Sequence, residues 1–192
     1  MTVRDLFATR LYEATIDDAA LLGELAHSIR TLANDDEAGK KWSRDKNYRG
    51  YTSYASLNDL PRRDPAFADL QRILSKHAAA FARELALELP RKLRLDSIWV
   101  NLLRAGGHHS AHIHPQSILS VSFYVEVPQG GGPIRFEDPR LPLMMAAPTR
   151  PDLFVAVQPR SGMLLMWESW LRHEVMPGAA KDDRLSISFN FT

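Results

Sequence analysis

The 192-residue chain contains no cysteine, no long apolar run and no large excess of charge of either sign. Without cysteine, disulfide frameworks, zinc–thiolate sites and cysteine nucleophiles are excluded, so a metal ion must be bound by His, Asp or Glu. Apolar runs such as MLLMW at 163–167 are far shorter than the ~20 residues of a membrane span. The formal charge of +1 gives no strong signal for nucleic acid or a membrane surface. The start, MTVRDLFATRLYEATID, lacks the apolar core of a signal peptide, so we expect a cytoplasmic protein.

Helical periodicity is confined to the first half of the chain. Residues 15–33 place apolar side chains at helical spacing, and Thr15 is a candidate N-cap. A second helix should begin with Asp64 as its N-cap and Pro65 at its first position. The polar segment 34–50 has no such period, and we interpret it as a loop.

Short β segments separated by Gly and Pro turns fill the rest of the chain. They are SIWVNLLR (97–104), ILSVSFYVEV (118–127), GPIRFED (132–138), LFVAV (153–157), GMLLMW (162–167), LRHEV (171–175) and RLSISFNFT (184–192). Helices followed by a run of strands favour an α+β fold in one structural domain. We expect residues 1–95 to form a helical and loop region that packs on a β-rich core of residues 96–192.

Two of these segments alternate strictly between polar and apolar residues. In SVSFYVEV and RLSISFNF, one face of the strand is polar and the other is apolar. A sheet with its polar face in water is the simplest interpretation of such a pattern. The alternative is a barrel whose polar lumen holds a ligand and whose apolar outside is covered by helices. Because the two amphipathic helices supply that cover, we predict the barrel.

A cluster of histidines lies between the first two long strands. The stretch HHSAHIHPQS (108–117) contains four of the seven histidines in the chain. In an extended chain His112 and His114 project to the same side, and Pro115 favours an extended conformation at His114. His173, in the late strand LRHEV, would be the third ligand of a metal site. Three protein ligands with open positions suit a catalytic iron, whereas no fourth ligand for structural zinc is evident.

Arg184 follows His173 by eleven residues. We interpret MPGAAKDD as the turn of a hairpin that returns Arg184 alongside His173, deeper in the lumen than the metal. Ser186 lies on the same strand face and adds a hydroxyl. A guanidinium with a neighbouring hydroxyl matches a carboxylate, so a dicarboxylate that chelates the metal would anchor its other end here.

Together these residues resemble the iron(II)- and 2-oxoglutarate-dependent oxygenases. The family pattern is His-x-Asp/Glu, then a distal His, then Arg-x-Ser or Arg-x-Thr. It is matched here by His112-x-His114, His173 and Arg184-Leu-Ser186. The segment FYVEVPQGGGPIRFEDP is similar to one in the prolyl-hydroxylase-like branch, which implies that Tyr124 also contacts 2-oxoglutarate. The resemblance covers about residues 96–192 and is greatest to bacterial and phage oxygenases of unassigned substrate.

The resemblance implies a fold, an activity and cofactors. The fold would be a double-stranded β-helix, or jelly-roll, with the N-terminal helices packed on its outside. The activity would be hydroxylation of a C–H bond in an unidentified substrate, coupled to decarboxylation of 2-oxoglutarate to succinate. The cofactors would be Fe(II) and 2-oxoglutarate, with ascorbate as an accessory reductant.

One position departs from the family pattern, because His114 stands where the family has a carboxylate. Three solutions stay open. His114 ligates the metal in a three-histidine site, or Asp138 in FEDPR supplies the third ligand, or the position takes an anion, as in related halogenases. The intact His-x-His spacing favours the first solution.

Two other classes of protein fit parts of the pattern. A cupin shares the jelly-roll, and Gly106 stands at the cupin spacing before His112. However, Ile118 and Leu119 occupy the positions of the cupin glutamate, and Arg184 would have no role. A non-catalytic jelly-roll binding module would require neither metal nor 2-oxoglutarate.

The sequence does not identify the substrate, which is a small molecule or a protein side chain, and it leaves open whether the chain forms a homodimer. We expect substrate contacts from the loop 34–60 and from the turns around 139–152, because functional residues concentrate on loops over a rigid scaffold. Candidates for lining the pocket are Trp99, Asn101, Trp167 and Trp170, although core packing is the commoner role of a single tryptophan.

Overall fold

The fold consists of two antiparallel sheets, with helices on the outer side of the larger sheet. The computed structural model describes residues 2–4, 6–140, 145, 148 and 153–192. In these residues the helices are α1 (Ala19–Asp35), α2 (Glu37–Asp45), α3 (Leu60–Arg63) and α4 (Pro65–Glu84). The strands are β1 (Tyr12–Thr15), β2 (Gly50–Thr52), β3 (Leu95–Leu103), β4 (His109–His112), β5 (Leu119–Glu126), β6 (Ile134–Glu137), β7 (Phe154–Val157), β8 (Met163–Glu168), β9 (His173–Val175) and β10 (Arg184–Phe191). In the part of the chain that is described, no helix has both the length and the apolar character that a membrane crossing requires.

From β3 onward the strands alternate between the two sheets, except that β6 and β7 are both in the smaller sheet. The larger sheet has the order β1-β8-β5-β10-β3-β2, and the smaller sheet has the order β4-β9-β6-β7. The inner faces of the sheets touch, since the ring of Phe136 on β6 lies 5.1 Å from that of Trp167 on β8. This arrangement is a double-stranded β-helix, as the resemblance implied.

The helices and the outer face of the larger sheet share one apolar core. Leu185, Ile187 and Phe189 of β10 are fully buried there against α1 and α4, which contribute residues such as Leu25 and Leu70. Burial of each such side chain contributes about 1.5–3 kcal/mol. The predicted apolar outside with its helical cover is therefore confirmed. The other polar positions of β5 and β10 face the space between the sheets, but Glu126, beside a bulge in their pairing, forms an ion pair with Arg30 of α1.

The two long helices begin where local capping residues place them. The Asp64 carboxylate accepts a hydrogen bond from the backbone N–H of Ala66 at 2.9 Å, and Pro65 opens α4 as predicted. The start of α1 differs from the prediction at Thr15. Asp18 is the N-cap, because its carboxylate accepts from the N–H of Leu21, while Thr15 belongs to β1.

The segment 34–50 contains a helix, so its interpretation as a loop was wrong. The Asp36 carboxylate caps α2 by accepting a hydrogen bond from the N–H of Gly39 at 3.1 Å. On the surface of the helix, Lys40 forms an ion pair with Glu37, and Lys41 forms one with Asp45. Only Gly39 and Ser43 of this helix are buried. Apolar periodicity could not reveal a helix that buries so little apolar surface.

The strands β9 and β10 do not form the predicted hairpin. His173 of β9 is paired with His112 of β4 and Phe136 of β6 in the smaller sheet, whereas Arg184 of β10 is paired with Leu103 of β3 in the larger sheet. The segment between them crosses from one sheet to the other. Arg184 therefore approaches the lumen from the sheet that faces His173, not from the neighbouring strand.

Candidate active site

His112, His114 and His173 lie together between the sheets. The first and last are direct partners on β4 and β9, and the N–H of His114 donates to the carbonyl of Ser169 at 3.0 Å. One ring nitrogen from each histidine lies within 4.8 Å of the other two. The ring centroids are 4.4–5.2 Å apart. This spacing allows the three imidazoles to share one metal ion.

Backbone carbonyls orient two of the three rings. The Nδ1 of His112 lies 2.6 Å from the carbonyl of Ser110, and the Nδ1 of His173 lies 2.9 Å from that of Leu171. A carbonyl oxygen only accepts hydrogen bonds, so both Nδ1 atoms carry the proton and donate it. Each Nε2 then keeps a free lone pair, which is the arrangement that metal-binding histidines use.

The buried rings are held in the uncharged form that binds metal. Burial, with a smaller effect of the nearby His112, lowers the pKa of His173 to about 3. The same two causes lower the pKa of His114 to about 4. At neutral pH both side chains are neutral imidazoles, and no proton has to be displaced from a cation before a metal binds.

Asp138, the alternative third ligand, lies in a different part of the molecule. Its carboxylate forms an ion pair of 2.5 Å with Arg140. Both residues line a separate cavity beside the N-terminal segment, away from the histidines. In the residues that the structure describes, the group of potential ligands at the three imidazoles includes no carboxylate.

Arg184 is buried in the lumen without a counter-ion among the described residues. It is 4% exposed, and its Nη1 donates to the carbonyl of Gly132 at 3.1 Å. Its Nε has no hydrogen-bond partner there. The guanidinium carbon lies 5.9 Å from the ring centre of Tyr124, and Ser186 is directly paired with Tyr124 across the strands. A buried guanidinium that has an unpaired N–H and no counter-ion favours an anionic partner.

Two further residues beside Arg184 were not predicted. The hydroxyl of Tyr48 lies 2.9 Å from Nε2 of His109, and both side chains are close enough to Arg184 to interact with its charge. Burial, with a smaller effect of Arg184, lowers the pKa of His109 to about 3. Burial also raises the pKa of Tyr48. His109 stands in the histidine cluster, and Tyr48 lies in the segment 34–60 that was expected to contact substrate, but no sequence signal singles out either residue.

A cavity of about 990 Å³ joins the histidines to the surface. One wall is a series of aromatic rings that begins with Trp42 on α2 and continues through Tyr54 and Trp99 to His114. The centroids of successive rings are 5.8, 5.2 and 5.7 Å apart. The segment 34–60, from which we expect substrate contacts, therefore contributes Trp42 and Tyr54 to this wall. Most of the turns around 139–152 lie outside the described residues.

Three of the four proposed lining residues reach this cavity. Trp99, Asn101 and Trp167 line it, and the ring of Trp167 lies 4.6 Å from that of His173. Trp170 is 48% exposed and is not part of the lining. The side chain of Trp170 points to the surface because it stands in the turn after β8, where strand alternation has ended.

The comparison with known families is decisive for the class of enzyme. Residues 97–190 match the family model described as "Putative 2OG-Fe(II) oxygenase". Over these residues, just under half of the chain, the sequence is that of a 2OG-Fe(II) oxygenase. The matched region contains all three histidines, Tyr124 and Arg184. No relative among curated proteins matches the sequence.

Solved structures share the fold of this oxygenase. A prolyl-4-hydroxylase from Pseudomonas putida has a TM-score of 0.67 at 20% identity, over 95% of this chain and 92% of that chain. HygX from Streptomyces hygroscopicus, solved with nickel and 2-oxoglutarate, has a TM-score of 0.61 at 14% identity, over 95% and 81%. A prolyl hydroxylase from Trichoplax adhaerens, in complex with a peptide fragment, has a TM-score of 0.60 at 14% identity, over 94% and 82%. Because these sequence identities are 20% or lower, the similarity to the three structures supports the fold alone.

Proposed function

We propose that this oxygenase binds iron(II) through His112, His114 and His173 and hydroxylates a C–H bond of its substrate. The observation that carries the proposal is the buried Arg184, which lacks a carboxylate partner among the described residues and lies between the same two sheets as the three imidazoles. A metal at the imidazoles and a guanidinium across the lumen suit a dicarboxylate that binds at both ends.

The residues present fit both cofactors. The imidazoles are nitrogen ligands of the kind that iron accepts, and they leave positions for other ligands. When bound, iron(II) and 2-oxoglutarate supply oxygen activation, with the keto acid decarboxylated to succinate. Arg184 would hold the distal carboxylate, while the hydroxyls of Tyr124 and Tyr48 donate to it.

The surroundings of this carboxylate strengthen its binding. His109 is uncharged at neutral pH, so it adds no second cation beside Arg184. Tyr124 is 2% exposed and Ser186 is 5% exposed, so little water competes for the guanidinium. Charge-assisted hydrogen bonds are strongest in such poorly solvated sites.

The aromatic wall of Trp42, Tyr54 and Trp99 is the proposed substrate surface. It runs from the open mouth of the cavity to the ring of His114, and Tyr54 is 59% exposed at the mouth. Planar rings offer a large contact area at a low cost in side-chain entropy. A cavity of about 990 Å³ has room for a small molecule or a protein side chain.

The test is turnover of 2-oxoglutarate without any added substrate. We expect slow formation of succinate that requires Fe(II) and oxygen, and its loss in His173→Ala. Arg172→Ala is the control, because this exposed neighbour pairs with Glu137 at the surface. A cupin would consume no keto acid. Absence of succinate, together with no binding of 2-oxoglutarate to the metal-loaded protein, would overturn the proposal.

A further inference from the structure

His114 is held by a different kind of partner from the other two histidines. Its Nδ1 lies 3.2 Å from Nδ2 of Asn190, whose side-chain amide can either donate or accept. The rings of His112 and His173 face backbone carbonyls, which fix the proton on Nδ1. The position of the proton on His114 therefore depends on the orientation of the Asn190 amide.

Two contacts place the proton of the metal-free protein on Nε2 of His114. Asn190 directs its Nδ2–H at Nδ1, which must then be the accepting nitrogen. On the other side, Nε2 of His114 lies 3.4 Å from Nε2 of His173, whose lone pair is free to accept. A chain of hydrogen bonds thus runs from Asn190 through His114 to His173 and ends at the carbonyl of Leu171.

A metal ion requires the opposite arrangement at His114. Its Nε2 must offer a lone pair, so the proton has to move to Nδ1, and Nδ1–H then needs an acceptor. Asn190 supplies one if its amide turns over and presents Oδ1 to the ring.

The surroundings of Asn190 accept both orientations of the amide. Its other partners are the hydroxyls of Ser97, at 3.1 Å, and Ser120, at 3.0 Å. The Ser120 hydroxyl also lies 2.8 Å from that of Ser169. Hydroxyls donate or accept by rotating, so reversal of the amide reverses the bonds and leaves no buried polar atom unpaired. Asn190 itself is only 7% exposed at the wall of the cavity, so these side chains are its main partners.

We propose that Asn190 is a positioning residue whose amide turns over on metal binding and thereby makes His114 a ligand. The inference rests on the proposed three-histidine site. It explains how a histidine replaces the family carboxylate: its buried amide partner supplies the second-shell acceptor that the other two ligands obtain from the backbone. Loading of the metal breaks the contact between His114 and His173 and reverses the hydrogen bonds of Asn190.

The most direct test is nitrogen NMR of the histidine rings in the metal-free and zinc-loaded protein. The expected result is that His114 carries its proton on Nε2 without metal and on Nδ1 with zinc, while His173 carries it on Nδ1 in both states. A proton on Nδ1 of His114 in both states would overturn the inference. If zinc leaves His114 protonated on Nε2, or if His114→Ala binds zinc as tightly as the wild type, the three-histidine assignment itself fails.

Substitutions at Asn190 test the same idea through zinc affinity. In Asn190→Asp the carboxylate can only accept, so it holds the proton on Nδ1 and should keep zinc affinity at or above the wild-type value. In Asn190→Leu the acceptor is lost, and affinity should fall about 10–100-fold. Ser97→Ala removes another partner of the amide but leaves Oδ1 available to the ring, so it should lose less than Asn190→Leu.

A purely structural role of Asn190 predicts a different pattern. Wild-type affinity in Asn190→Leu, or equal losses in the Asp and Leu variants, would overturn the inference. Cobalt(II) absorption of Asn190→Asp gives an independent readout. A ligand-field spectrum like that of the wild type supports three nitrogen ligands, and a spectrum like that of His114→Ala contradicts the role assigned to Asn190. Because the Asp variant and the NMR measurement do not depend on the Leu variant, they keep the test valid if Asn190→Leu fails to fold.

Discussion

Arg184 is the residue on which the assignment of the cosubstrate depends. Hydrogen bonds to charged groups contribute roughly 1.5–3 kcal/mol each, so Arg184→Ala should weaken 2-oxoglutarate binding by about one to a few powers of ten. Arg184→Lys should recover only part of the loss, since an ammonium cannot reproduce the planar fork. Calorimetry with a redox-inert metal in the site measures both affinities.

The matched control for Arg184 is the exposed Arg172, and metal content is the internal check. Arg172→Ala should bind 2-oxoglutarate as the wild type does. The three variants Arg184→Ala, Arg184→Lys and Arg172→Ala should all retain the metal. Were Arg184→Ala to bind 2-oxoglutarate as tightly as the wild type, the polar face of β10 would not contact the cosubstrate.

Tyr48 offers a second test of the same pocket. Its hydroxyl bonds to His109 beside Arg184, and Tyr48→Phe removes only that hydroxyl. A hydrogen bond to a charged group contributes roughly 1.5–3 kcal/mol, so without its bond to the carboxylate 2-oxoglutarate affinity should fall about 10- to 100-fold while metal affinity stays unchanged.

Tyr12→Phe is the control for Tyr48→Phe. The hydroxyl of Tyr12 also bonds to a histidine, His77, at 2.8 Å, but far from the lumen. Isothermal titration of the two variants separates a cosubstrate contact from a general loss of a tyrosine–histidine bond. Equal effects on 2-oxoglutarate affinity would show that Tyr48 has no special part in the pocket.

At the scale of elements, strand alternation was the most informative signal in the sequence. Residues 184–191 alternate because one face meets the helices and the other lines the lumen, so both their strand and their polar face were predictable. The helix α2 was not predictable. It buries only Gly39 and Ser43, and it is held by its cap and by surface ion pairs, which leave no apolar period.

The cap of α2 is expected to be important for stability. The Asp36 carboxylate accepts hydrogen bonds from the N–H of Gly39 and from the hydroxyls of Tyr51, at 2.8 Å, and Ser56, at 2.6 Å. These bonds hold the pKa of Asp36 below its usual value despite the opposing effect of burial. Asp36→Ala should lower the free energy of unfolding by about 2–4 kcal/mol, because the cap is lost and the buried Tyr51 hydroxyl loses its partner.

Urea denaturation of Asp36→Ala and of Asp35→Ala measures this contribution. Asp35 is the exposed neighbour at the end of α1, and its removal should change the free energy of unfolding by much less. If both variants lose the same amount, α2 is not stabilised through Asp36.

At the scale of the whole molecule, pairing between distant strands determines the site. The ligand set was suggested by the His-x-His spacing and by the resemblance, but the predicted hairpin placed Arg184 in the wrong strand neighbourhood. Local turn composition cannot show that β9 and β10 lie in opposite sheets, because that depends on hydrogen bonds to strands 60 or more residues earlier, such as His112 with His173 and Leu103 with Arg184. Tyr48 and Trp42 lie in the segment 34–60 that was expected to contact substrate, but which of its side chains reach the lumen depends on tertiary packing that local sequence does not show.

The central claim is that one lumen holds a metal at three histidines and a dicarboxylate between that metal and Arg184. A crystal structure of the protein grown with zinc and 2-oxoglutarate, with an anomalous difference map at the zinc edge, tests it most directly. The account predicts one anomalous peak bonded to Nε2 of His112, His114 and His173 at about 2.1 Å, with the distal carboxylate on Arg184. A peak ligated by Asp138 or another carboxylate in place of His114, or 2-oxoglutarate bound away from Arg184, would contradict it.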